Sequence, residues 1–208
     1  LFYNVGMEKT PRVGLNIFYY GKGKGKTTAA MGLAARAAGA GMNVFILQFV
    51  KAARPAKGKT YEGGEWPLSS EIYFFENTIV DPKSKRKIGK IKNAQMGKGF
   101  VGILGDKKAR AIHVQAAKDA LAYAAKILKS GKYELVILDE LISALELKLI
   151  SQKEVIDLIR LRPSDSYLVY TGHDAFPKIL AISDLASEIN MIKHPYYKGI
   201  LAQKGIDF

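Results

Sequence analysis

The chain has 208 residues and no cysteine. That absence excludes a disulfide framework, a thiolate zinc site, a cysteine-ligated iron–sulfur cluster and a cysteine nucleophile. No stretch approaches the ~18 consecutive apolar residues of a membrane-spanning helix. The start shows no paired basic and apolar regions of a secretory signal, so a cytoplasmic location is expected. The three histidines, His113, His173 and His194, are too far apart to form a local metal motif of the H-x-x-x-H kind. Internal repeats and sustained heptads are also missing. What remains is ordinary globular usage, 48% apolar and 25% charged, in a length that suits one α/β domain.

Charge is the exception. Lys and Arg number 32 against 19 Asp and Glu, a net +13. Such a balance suits a nucleic acid, an anionic membrane or a polyanionic ligand such as a nucleotide. Residues 81–98 carry Lys83, Lys85, Arg86, Lys87, Lys90, Lys92 and Lys98 against Asp81 alone. This density, opened by Asp81-Pro82, predicts a mobile surface excursion. The lack of aromatics inside the window argues against nucleic acid as a partner.

Periodicity orders the rest. After a short arm, residues 1–13, the apolar run GLNIFYY at 14–20 reads as a buried strand. Residues 27–41 read as an alanine-rich helix closed by Gly39 or Gly41, with Gly32 marking close packing on the sheet, and 43–49 as a second strand. This is a βαβ unit of a mostly parallel sheet. Residues 50–70, which include Trp66, read as loop and 71–75 (EIYFF) as a short strand. The clearest helix is 107–129, with Ala117, Leu121, Ala124 and Leu128 on one stripe. A strand at 134–138, a helix at 151–161 opened by a Ser151–Glu154 capping box, a strand at 167–171, a helix at 175–182 and a short element near 186–191 complete the pattern.

Between the first strand and the first helix lies Gly21-Lys22-Gly23-Lys24-Gly25-Lys26-Thr27-Thr28. Strand, glycine loop and helix are the context a phosphate-binding loop requires. Glycines let backbone N–H groups turn inward as an anion nest, the helix N-terminus adds free donors, Lys26 reaches phosphate oxygens and Thr27 offers its hydroxyl to Mg2+. The spacing is unusual, because the place of the first glycine in G-x-x-x-x-G-K-T is held by Tyr20. The partner motif is the apolar strand ending in Asp139 and Glu140. It delivers carboxylates to the carboxyl edge of the sheet, where α/β proteins bind ligands. Asp139 is the expected Mg2+ partner, and Glu140 the residue that orders the metal shell or activates a nucleophile.

These segments resemble the P-loop ATP:corrinoid adenosyltransferases. The resemblance is carried by GKGKGKTTAAMGLAARAAGAG (21–41), NVFILQFVK (43–51), GKGF (97–100) with Asp106 beyond it, SGKYELVILDEL (130–141), Arg162-Pro163, Thr171-Gly172, KHP (193–195) and the tail AQKGIDF (202–208). It implies a single P-loop domain over residues 14–208 in which cobalt(I) of a reduced corrinoid attacks the 5′ carbon of ATP and triphosphate leaves. It implies Mg-ATP contacts from the glycine loop, with Lys26 on the departing triphosphate and the ion on Thr27 and Asp139. Phe100, His173 and His194 are implied contacts on the substrate side. An external flavin-based reductant and a homodimer are compatible partners. The chain departs from the family at Lys22, where asparagine is usual, at Ala52 for glycine, Gly102 for tryptophan and His173 for arginine. The glycine loop and Asp139 alone also suit an ATPase or kinase that cleaves the γ-phosphate. A corrinoid- or nucleic-acid-binding P-loop protein with altered catalysis is the further alternative.

Overall fold

A computed structural model describes residues 12–52, 70–77, 87–99, 101–102, 106–203 and 205–206. Among these residues six strands form one sheet: β1 (Asn16–Tyr20), β2 (Val44–Ala52), β3 (Ile91–Gly97), β4 (Leu135–Asp139), β5 (Tyr167–Thr171) and β6 (Leu185–Glu188). Every pairing is parallel, in the order β3-β2-β4-β5-β1-β6. The helices are α1 (Lys26–Gly39), α2 (Ser70–Asn77), α3 (Arg110–Lys129), α4 (Leu141–Glu146), α5 (Gln152–Ile159) and α6 (Pro177–Leu180). The expected α/β class and parallel sheet are present, although β1 and β2 are not neighbours. β5 and β4 lie between them, and α1 packs across both.

Side-chain alternation explains the two layers. Val44 and Ile46 of β2 and Leu135 and Ile137 of β4 face α1 and α2. Phe45, Leu47, Val136 and Leu138 face the opposite layer, built from α3, α4, α5 and α6. Both sheet faces are covered, so central strands are apolar at consecutive positions, as a parallel sheet demands. The predicted stripe of α3 is the one that packs. α5 begins with the expected capping box, Ser151 and Glu154 bonding each other's backbone.

Four expectations fail. Residues 71–75 are helical, within α2, because Ile72 and Phe75 are spaced to reach the core while Tyr73 and Phe74 face solvent. A short aromatic run carries strand and helix periods alike, and burial of one face decides. The basic window is not an excursion throughout: residues 91–97 form edge strand β3, with Lys92 outward and Ile91 packed on the core. Lysines are a common device on sheet edges. Gly32 is exposed with open space above it, so it marks no close contact. Finally, β2 extends to Ala52, beyond the predicted strand. Most of the 1–13 arm, Trp66, the first part of the basic window and Phe100 lie outside the described residues.

The β3 edge is held close. A Cβ on Gly97 would collide with the Val50 backbone. Gly97→Ala should therefore lower Tm by roughly 3–10 °C, the effect of ~1–3 kcal/mol of overpacking in a chain of this size. A thermal melt within a degree of wild type would contradict this packing.

Candidate active site

The glycine loop, residues 21–25, connects β1 to α1 at the carboxyl edge of the sheet. Its glycines have separate physical reasons. Gly21 and Gly25 adopt φ of 114° and 113°, a region costly for other residues. Gly21 and Gly23 also lie against residues 189–190 beyond β6, where a Cβ on Gly23 would meet Ile189 O at 2.7 Å. Two of the glycine N–H groups do not face a ligand. Gly21 N donates to His173 O (3.0 Å) and Gly23 N to Ile189 O (2.8 Å). The nest is thus narrower than the glycine count implies, and its frame is tied to the segments after β5 and β6. Gly25 occupies the N-cap of α1 and no side chain caps that end, leaving first-turn donors for an anion.

Lys26 folds back on this loop. Its Nζ donates to Gly21 O (2.7 Å) and Gly23 O (2.8 Å). Partial burial lowers its pKa, while the carboxylates of Glu146, Glu140 and Asp139 oppose the shift. The ammonium therefore sits at the loop, and among the described residues its hydrogen-bond partners are the neutral carbonyls of Gly21 and Gly23. Thr28 is exposed in the first turn of α1.

Asp139 ends β4 with its side chain fully buried. Its Oδ1 accepts from Thr27 Oγ1 (2.9 Å) and Thr171 Oγ1 (2.9 Å), and its Oδ2 from Gln48 Nε2 (3.1 Å), with Lys51 Nζ at 3.9 Å. Gln48 is itself held by Gln95 at 2.7 Å. The structure thus joins Thr27 and Asp139, the predicted metal pair, through a hydrogen bond between them. The saturated carboxylate is suited to orienting Thr27 rather than to direct ligation.

Glu140 differs. It adopts φ 61°, a left-handed conformation unusual for a residue with a Cβ, at the turn from β4 into α4. Its N–H donates to Thr171 Oγ1 (2.8 Å), while its Oε2 is buried with no hydrogen-bond partner. Burial, aided by the neighbouring Asp139 charge, pushes its carboxyl up to about 7. An orphaned buried acceptor on the residue that follows Asp139, whose Oδ1 holds the Thr27 hydroxyl, fits a divalent cation. No group of three Asp, Glu, His or Cys side chains that could hold a metal ion is found among the described residues, and the oxygen donors present suit a hard cation such as Mg2+.

His173 follows β5. Its Nδ1 lies 3.1 Å from Glu146 Oε2, and its carbonyl holds Gly21, so the structure places it beside the loop. Lys22 pairs with the neighbouring Asp174 on the surface. His194 is placed otherwise. It caps the 3-10 turn Pro195–Lys198, accepting from Tyr196 N (3.1 Å), and its ring meets Tyr196 and Tyr197. These contacts are local and do not bring it to the loop. His113 is buried and sits 2.9 Å from Asp106, whose carboxylate also accepts from Gly102 N and Lys108 N. Those donors hold the Asp106 carboxyl below its ordinary range, and the pair fastens the segment after β3 to α3.

Sequence reasoning missed Thr171, Gln48 and Glu146 as individual site residues. A glutamine inside the apolar run of β2 was the available signal, because an amide is seldom buried without a specific partner. Glu146 ends the short helix α4, whose first five residues are all buried, so no alternating polar face announces it.

Residues 12–208 match the family described as ATP:corrinoid adenosyltransferase BtuR/CobO/CobP. The chain belongs to this family. It is 30% identical over 195 residues to the corrinoid adenosyltransferase of Escherichia coli K12, covering 94% of this chain and 86% of the relative. Identity is also 30%, with the same coverage, to the corrinoid adenosyltransferase CobA of Salmonella typhimurium. It is 31%, over 94% and 84% of the two chains, to that of Pseudomonas aeruginosa. In this adenosyltransferase chain, no helix among the described residues is long and apolar enough to cross a membrane.

Proposed function

We propose that this chain transfers the 5′-deoxyadenosyl group of ATP to the cobalt(I) of a reduced corrinoid and releases triphosphate. The cobalt(I) electron pair forms the cobalt–carbon bond, the C5′–O bond breaks, and its electrons leave with the triphosphate. The observation that carries the reading is one constellation at the sheet edge. A glycine loop with Lys26 and an open helix N-terminus stands beside Thr27, Asp139 and the orphaned Glu140 carboxylate, in a chain matched to the family over nearly its whole length.

Residues 21–28 bind the triphosphate of ATP. Lys26 exchanges its two loop carbonyls for phosphate oxygens and stabilises the charge that grows as triphosphate departs. Thr27 and Asp139 would hold Mg2+, Asp139 through water while its Oδ1 orients the Thr27 hydroxyl, and Glu140 would order the metal shell. The ion, when bound, neutralises phosphate charge. His173 contributes at the edge of the phosphate site. Phe100 and His194 belong to the corrinoid side, together with the segment that Asp106 and His113 fasten. No side chain serves as nucleophile, because the corrinoid substrate supplies it. Without cysteine the chain has no thiol redox centre, so electrons come from outside, from a reduced flavin protein. A homodimer in the cytoplasm completes the proposal.

ATP labelled at the γ position tests the bond that breaks. With reduced corrinoid present, the label should leave in triphosphate. Label in orthophosphate, with ADP as the other product, would favour γ-phosphate cleavage instead.

A further inference from the structure

Glu146 is the last residue of α4, and its side chain is only 15% exposed. Its two oxygens serve one turn. Oε1 accepts from His173 N (2.7 Å) and Asp174 N (2.8 Å), and Oε2 lies 3.1 Å from His173 Nδ1. The turn has no slack, since a Cβ on Gly172 would collide with Ile142 of the same helix. From this turn the His173 carbonyl reaches out and accepts the Gly21 N–H at 3.0 Å. A continuous path thus runs from α4 through one carboxylate and one turn into the first glycine of the phosphate loop. Gly21 O in turn accepts from Lys26 Nζ.

We propose that Glu146 is a positioning residue for triphosphate binding: through the 172–174 turn it fixes Gly21, and through Gly21 the place from which Lys26 works. The inference rests on the reading of residues 21–27 as the triphosphate site. A second link between turn and loop, the Lys22–Asp174 ion pair, has side chains 69% and 54% exposed. Exposed pairs contribute little, whereas charge-assisted bonds from backbone N–H groups to a largely buried carboxylate are strong. The carboxylate is therefore the brace and the ion pair an accessory.

Charge strengthens the brace, but its geometry is set by the acceptors, which a neutral residue of the same shape also supplies. A glutamine carbonyl can accept both N–H groups that Oε1 now accepts, and its amide can donate to His173 Nδ1. Glu146→Ala removes all three contacts. Calorimetric titration with Mg-ATP and with inorganic tripolyphosphate reads the result without any turnover. Glu146→Ala should bind both at least about tenfold more weakly, Glu146→Gln should recover to within about threefold of wild type, and Asp174→Ala should stay within about twofold. In steady-state kinetics, KM for ATP should rise in Glu146→Ala while KM for the corrinoid holds. If Glu146→Ala does not fold, Glu146→Met fills similar volume without acceptors and carries the same expectation. Wild-type affinity in the alanine or methionine variant, or glutamine as weak as alanine, would overturn the brace. Lys26→Ala in the same titration separates the two levels. If it binds like wild type, the triphosphate reading itself fails. If it loses binding while Glu146→Ala keeps it, only the brace fails.

Discussion

Lys26→Ala should weaken Mg-ATP binding at least about tenfold, equivalent to about 1.4 kcal/mol, and slow adenosyl transfer by roughly 10²–10³-fold, the usual loss when one preorganised charge-stabilising donor is removed. The two effects differ because the lysine does more for the leaving triphosphate than for bound ATP. Its Nζ donates to the carbonyls of Gly21 and Gly23, neutral partners that a phosphate oxygen can replace. Partial burial already lowers its pKa, and a polyanion reverses that tendency. Folding should be unaffected, since the lost bonds are two side-chain contacts to a loop that Ile189 and His173 also hold. Calorimetry and single-turnover kinetics check it. A folded variant with unchanged affinity and rate would remove Lys26 from the site.

Glu140→Gln should have opposite effects on stability and activity. The Glu140 carboxyl titrates at about 7 in the folded chain, raised by burial from the ordinary 4.5. Between those values the folded state keeps a proton that the unfolded chain has released. This contribution to stability is whole below about pH 4.5 and is lost as pH rises through about 7, on the order of 3 kcal/mol in all. Glutamine is neutral throughout. The variant should therefore melt several degrees above wild type at pH 8 and converge with it near pH 4.5, in the absence of nucleotide and metal. Its Mg-dependent ATP binding should nevertheless fall, because the orphaned oxygen that suits a cation is replaced by an amide. Functional sites commonly hold such destabilised groups. Equal melting of the two proteins at pH 8, with metal dependence intact, would contradict the role given to Glu140.

Much of this site was legible because its chemistry is local in sequence. The loop at 21–28 follows a strand and opens a helix, and Asp139 closes an apolar strand, so a linear pattern carries both. Their joining through the Thr27–Asp139 bond follows from parallel strands ending at one edge. What was not legible arises from distance along the chain. Thr171 reaches Asp139 from 32 residues away and Glu146 reaches His173 from 27, and no spacing rule connects them. Gly21 and Gly23 looked like a nest, whereas their packing against residues 189–190 and their donated bonds show a loop built to be braced. Two of the fold errors share one cause. Residues 71–77 and 91–97 are short segments whose local preference is weak, and tertiary burial of Ile72 and pairing with β2 decided their conformation.

The central claim is adenosyl transfer rather than phosphate cleavage. Its most direct test is an anaerobic reaction of the purified chain with chemically reduced cobalamin and Mg-ATP, followed by chromatography of both corrinoid and nucleotide products. The account predicts adenosylcobalamin and triphosphate in equal amounts, both dependent on protein and on Mg-ATP. ADP and phosphate as the only nucleotide products, with no cobalt–carbon bond formed, would contradict it.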